Sequence, residues 1–133
     1  KWSISQKRLV KTRWRWSMER FIKGDIVVVP FPFSDLTHTK WRPALVITDL
    51  EGVDLILCQI TSHSIIDRYA ISINEDDFES GTLRQRSNVR PNRIFTTDCH
   101  IILYRVGHLK SVKSDWIIEK IVSIIRQWIY NHI

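Results

Sequence analysis

From Lys40 to Thr61 the chain reads KWRPALVITDLEGVDLILCQIT, two short runs rich in Val, Ile and Leu on either side of a turn at Asp49 to Asp54. Short apolar runs bounded by turn residues such as Glu51-Gly52 predict strands, and so short a connection predicts that the two pair antiparallel. Alternation puts Arg42 on one face with Ala44, Val46 and Thr48, and Thr61 on one face with Leu55, Leu57 and Gln59. Arg42 opens the first run and Thr61 closes the second, so antiparallel pairing sets them together at one rim of the sheet. A guanidinium beside a hydroxyl suits a phosphate.

The same reading extends in both directions. Lys23-Gly24-Asp25 is a turn signal, and Ile26 to Val29 predicts the first core strand. Pro30 and Pro32 cannot donate to a ladder, so the piece Pro30-Phe31-Pro32-Phe33 must be an edge or leave the sheet. It leads into a polar loop, Ser34 to Lys40, that contains His38. Tyr69, Ile71 and Ile73 alternate as in a strand, residues 74 to 81 form an acidic turn region with one helical turn, and Ser87 to Thr97 is extended, with Arg90 held in a β-like conformation by Pro91. Tyr104 to Leu109 is a last short strand. Five or six strands with short connections predict a small barrel or a strongly bent sheet. From Ser111 to His132 the period becomes helical, through Trp116, Ile117, Ile121, Ile124, Ile125, Trp128 and Ile129. Ser114 or Ser111 caps this helix, and Asp115 and Glu119 complement its N-terminal dipole. Its apolar band is widened by Ile118, Val122 and Tyr130, enough to face a second subunit as well as its own sheet.

Composition bounds the function. The chain has 133 residues, enough for one compact core, and a formal charge of +6. That excess sits in Lys1, Lys7, Arg8, Lys11, Arg13 and Arg15; beyond residue 17, 20 − 6 = 14 Lys and Arg face 14 Asp and Glu. Net charge therefore says nothing about nucleic-acid binding by residues 18 to 133, and any such function must rest on a local site. Residues 1 to 17 hold three of the six Trp, follow no period and precede the sole methionine, Met18. They read as upstream or non-native sequence outside a single domain of residues 18 to 133, the alternative being a basic aromatic arm that contacts RNA or an anionic surface. Cys58 alternates with Ile56 and Ile60 as a buried small hydrophobe would, and neither cysteine has metal-ligand spacing with His63, His100 or His108, so no metal is expected. No apolar run spans a membrane, and a reducing cytoplasm is the default expectation.

Several ordered motifs carry a family resemblance: FIKGDIVVVPFPFSDL from Phe21, WRPALVI from Trp41, CQITS from Cys58, DFESG from Asp77 and VRPNRIFT from Val89. Together they resemble the PemK/MazF toxins of type II toxin–antitoxin pairs, from Met18 to about Leu109, with the helix in the expected place. The resemblance implies a mainly β (α+β) fold, a small SH3-like β-barrel with a C-terminal helix, assembled as a homodimer and held by a cognate antitoxin. It further implies an mRNA interferase, a metal-independent and cofactor-free endoribonuclease that cuts single-stranded RNA at a short sequence and leaves a cyclic phosphate and a 5′-hydroxyl.

Arg42 matches the family's Arg-Pro arginine, and its permanent charge and forked donors fit it to hold the phosphate. Thr61 matches the strand-end Thr/Ser. Arg90 resembles a second functional arginine, but where relatives carry an acid two residues later this chain has Asn92, which cannot take a proton as a carboxylate would. His38 sits roughly where some members place a histidine, with an ordinary pKa suited to proton transfer. Ser62, Phe33, Trp41 and Asn92 are the candidates to touch RNA beside them, the aromatics by stacking on bases if they stand at the rim rather than in the core. The competing readings are a catalytically silent SH3-like binding module and a toxin that acts on a protein target such as gyrase. They differ from the enzyme in whether Arg42, Thr61 and His38 converge.

Overall fold

A computed structural model describes residues 20–32, 39–63 and 68–132. The leader at 1 to 17, Phe33 and His38 lie outside the described residues. Within them the strands are β1 (Asp25–Pro32), β2 (Thr39–Asp49), β3 (Asp54–Thr61), β4 (Ile71–Ile73), β5 (Phe78–Gly81), β6 (Ser87–Asp98) and β7 (Tyr104–Leu109), followed by the helix α1 (Ser111–His132). They form one seven-stranded antiparallel sheet in the order β4-β6-β3-β2-β1-β7-β5, curled into a half-barrel. The sequence reading falls one strand short because β5 is four residues long, Phe-Glu-Ser-Gly, and follows a 3-10 turn at Glu75–Asp77. So short a run carries no period of its own.

The central strands are buried on both faces. Under α1 lie Ile26, Leu45, Cys58, Ile60, Val89 and Leu109, closed by Ile117 and Ile121 of the helix. On the opposite face Val27, Val29, Ala44, Val46 and Leu57 pack with Phe21 and Ile102. This is why Ile26 to Val29 is a continuous apolar run rather than an alternating one. Each fully buried Ile or Leu contributes about 1.5–3 kcal/mol relative to exposure. Four register shifts, in the β1/β7, β2/β3, β3/β6 and β5/β7 ladders, bend the sheet into its curl.

The prolines fall where the ladders allow them. β1 pairs with β2 from Ile26 to Pro32 but with β7 only from Asp25 to Val28, so Pro30 and Pro32 belong to the stretch that has run past β7. The β1 and β7 strands are tied together by Asp25, which is buried; it accepts from Ile22 N at 2.8 Å and meets His108 Nδ1 at 2.7 Å and Arg105 Nε at 3.1 Å. The helix begins earlier than a Ser114 cap would place it. Ser114 is buried inside the first turn, with its hydroxyl donating to Lys110 O at 3.4 Å, and Asp115 pairs instead with Lys23 at 2.7 Å.

Candidate active site

At one end of the sheet three strands stop being regular together. Arg42 pairs with Val29 of β1, but the ladder from β2 to β3 begins only at Ala44, opposite Gln59. Pro43, which has no N–H to give, sits at that break. Continuing the register sets Arg42 opposite Thr61, the last residue of β3, and Thr61 pairs on its other side with Asn88 of β6. Two residues on, Arg90 opens a bulge: Ile60 is opposite Val89 and Cys58 is opposite Ile94, so the four residues Arg90 to Arg93 stand against Gln59 alone. Arg42, Thr61 and Arg90 thus follow one another across β2, β3 and β6.

They also share a face. Arg42 alternates with Ala44 and Val46, and Thr61 with Leu57, all core residues of the face turned away from α1; Val89 packs under α1, and alternation turns Arg90 to the other side. The expected company of Thr48 does not survive, because the register shifts between Val46 and Thr48, and Thr48 pairs with Ile56 on the helix side. Arg42 and Arg90 are half-buried with their Nε atoms enclosed, so packed stems aim each guanidinium. Thr61 is only 5% exposed; its Oγ1 accepts from His63 N at 3.2 Å, and the hydroxyl proton remains a donor.

The other candidates divide. Ser62 is exposed on the bend that follows Thr61, and Asn92 is exposed in the β6 bulge. Trp41 pairs with Pro30 and lies on the opposite face of β2 from Arg42, so it is not grouped with the strand-end residues. Of the aromatics, Phe31 is packed edge-on against Phe95, ring centroids 4.8 Å apart, on the face that carries Arg42. Asp49 stands at the far end of β2 from Arg42 and pairs with Arg20 at 3.4 Å. Sequence reading weighs His63 only as a metal ligand, yet the fold ties it to this rim twice, through its N–H to Thr61 and through its carbonyl, which accepts from Asn88 Nδ2 at 3.3 Å. The signal was its adjacency to Thr61-Ser62.

Cavities lie elsewhere. One of about 300 Å³ at the β2–β3 turn is lined by Phe21, Asp49, Leu50, Asp54, Cys99 and His100. Beside it the 3-10 turn Cys99–Ile101 brings ligand atoms of Asp98, Cys99 and His100 within 4.8 Å of one another, a grouping that no spacing rule flagged. Asp98 Oδ1 caps the turn, accepting from His100 N at 2.8 Å and lying 3.2 Å from His100 Nδ1. Burial, and then Asp98, push the Cys99 thiol above its ordinary pKa. A second cavity, of about 420 Å³, is lined by Asn74, Thr82, Arg84 and Arg86 among others. Neither is lined by Arg42, Thr61 or Arg90.

A search of curated proteins finds no match. Among solved structures, the fold is similar to a mycobacterial endoribonuclease in complex with its cognate antitoxin, at TM-score 0.62 and 12% identity, covering 80% of this chain and 95% of that one. It is similar also to MazF in a MazE–MazF crystal structure from Deinococcus radiodurans, at TM-score 0.60 and 14% identity over 80% and 96% of the chains. The Mycobacterium tuberculosis toxin MazF-mt6 matches at TM-score 0.53 and 16% identity over 71% and 91%. At such identities these likenesses speak for the fold; the sequence itself matches a family profile over residues 22–125, a span holding the strand-end residues and most of α1. The chain belongs to the PemK-like, MazF-like toxins of type II toxin–antitoxin systems.

Proposed function

We propose that this chain is an endoribonuclease that cuts single-stranded RNA without a metal, leaving a cyclic phosphate and a free 5′-hydroxyl. The observation that carries the reading is the placement of Arg42, Thr61 and Arg90 on one face, near one end of three neighbouring strands. In the reaction the ribose 2′-oxygen loses its proton and bonds to the adjacent phosphorus, and the bond from phosphorus to the 5′-oxygen breaks as that oxygen gains a proton. Charge builds on the non-bridging oxygens of the five-coordinate phosphorus. Two guanidiniums flanking a hydroxyl stabilise it where it develops, with Arg42 in the leading role and Thr61 as hydrogen-bond donor. Protons pass through an imidazole: His38 from the loop before Arg42, or His63 beside Thr61, since Asn92 supplies no carboxylate.

Ser62 and Asn92, exposed around the group, are the nearest contacts for neighbouring nucleotides. A homodimer with a bound antitoxin completes the reading. It is supported by the apolar side chains that α1 leaves in solvent, Val112 at 81%, Trp116 at 55% and Ile125 at 63% exposed, and by relatives that are themselves antitoxin complexes. Asn92 alone favours a second reading, a silent module that binds its target without cleaving it.

The test incubates the full chain with a long single-stranded RNA in chelator and maps the fragment ends. Discrete cuts ending in cyclic phosphates, falling at least 100-fold in rate in Arg42→Ala, are expected from the loss of one preorganised charge donor. Intact RNA with a folded protein would move the assignment to the silent module.

A further inference from the structure

The β6 bulge is held by a bond that no strand pairing supplies. Cys58, fully buried under α1, points its Sγ at the carbonyl oxygen of Arg90, 2.9 Å away. The bulge needs such a bond because the ladder fails there. Between the pairs Cys58–Ile94 and Ile60–Val89 the partner strand offers one residue, Gln59, to four, and the second of those four is Pro91, buried and without an N–H. Burial pushes the Cys58 thiol up to about 12, so it keeps its proton and remains a donor.

We infer that Cys58 is a positioning residue, which fixes the direction of Arg90 by donating its thiol proton to the Arg90 carbonyl across the sheet. The inference rests on the ribonuclease reading only for what Arg90 does. The bond fixes the ψ angle of Arg90 from the helix-side core, while alternation turns its side chain to the other face, the face of Thr61. A buried sulfur and a surface cation are thereby coupled through one peptide unit, and the precision of the second depends on the first.

Two readouts separate this claim from the function itself. Hydrogen exchange across residues 92 to 95 should quicken at least tenfold in Cys58→Ala, with β1 and β2 unchanged, and should stay near wild type in Cys58→Ser, which keeps a donor. Cleavage should follow the same order: kcat falls about tenfold or more in Cys58→Ala with KM little changed, and Cys58→Ser is restored to within about threefold. In an Arg90→Ala background the Cys58→Ala change should then have no further effect on kcat, since coupled residues are not additive. Exchange that does not move in Cys58→Ala, or a kcat loss that persists undiminished without the Arg90 side chain, would overturn the inference. A wild-type protein that shows the exchange effect but cleaves no RNA would sink the ribonuclease reading and leave the Cys58–Arg90 coupling standing.

Discussion

Single residues in this molecule act through what encloses them. Arg42 reads in the sequence as a rim residue whose loss is structurally silent; its enclosed Nε shows a packed stem, so Arg42→Ala gives up contacts as well as charge, and activity must be compared at matched folded fractions. Asp25 is the opposite case, read from the sequence only as part of a turn. Its carboxylate is 3% exposed and meets Arg105 and His108, respectively 80 and 83 residues further along the chain. Removing it in Asp25→Ala takes away at once the bonds of a buried carboxylate to Ile22 N, His108 and Arg105, and the expected loss is about 1.5–3 kcal/mol in urea unfolding. Unchanged stability would mean that solvent takes over the pairing at no penalty.

At the scale of elements, the helix and every strand but β5 were legible from an apolar run or a period of their own, and the prolines were legible because a missing N–H has few permitted places. Arg42 beside Thr61 followed from the same alternation. What the sequence hid is whatever depends on register: the shift after Val46 that removes Thr48, and the three residues gained by β6 at Arg90. Register is set by partners, and no single strand contains that information. His63 was hidden for another reason, since only the fold shows what its backbone holds. β5 illustrates how narrow the tolerances are. Gly81 sits at φ +68°, and a Cβ there would lie 2.2 Å from Val106 O, so Gly81→Ala strains both the backbone and the β5–β7 seam. A destabilisation of about 1–3 kcal/mol is expected, seen as a lowered Tm in a thermal melt; a Tm equal to wild type would show that the seam yields freely.

For the whole molecule, burial of one thiol sets an alkaline limit. The Cys58 thiol is raised from 9.0 to about 12 by burial in the folded state. A raised folded value means that its stabilising share is complete below about pH 9 and drains away as pH climbs toward 12, at most about 1.4 kcal/mol for each pH unit. Unfolding free energies between pH 8 and 10.5 should therefore fall more steeply for wild type than for Cys58→Ala, and parallel slopes would contradict the assignment. The order of the strands has a consequence of a different kind. β1, near the start of the described chain, is flanked by β2 and by β7, and its bond to β7 joins Asp25 to His108. Arg42, Thr61 and Arg90 all precede in synthesis the strand that locks β1, and such distant pairing is slow to form. A translation product that stopped short of Tyr104 would carry every one of those side chains and no finished scaffold to aim them, so the aim of the three is a property of the completed sheet alone.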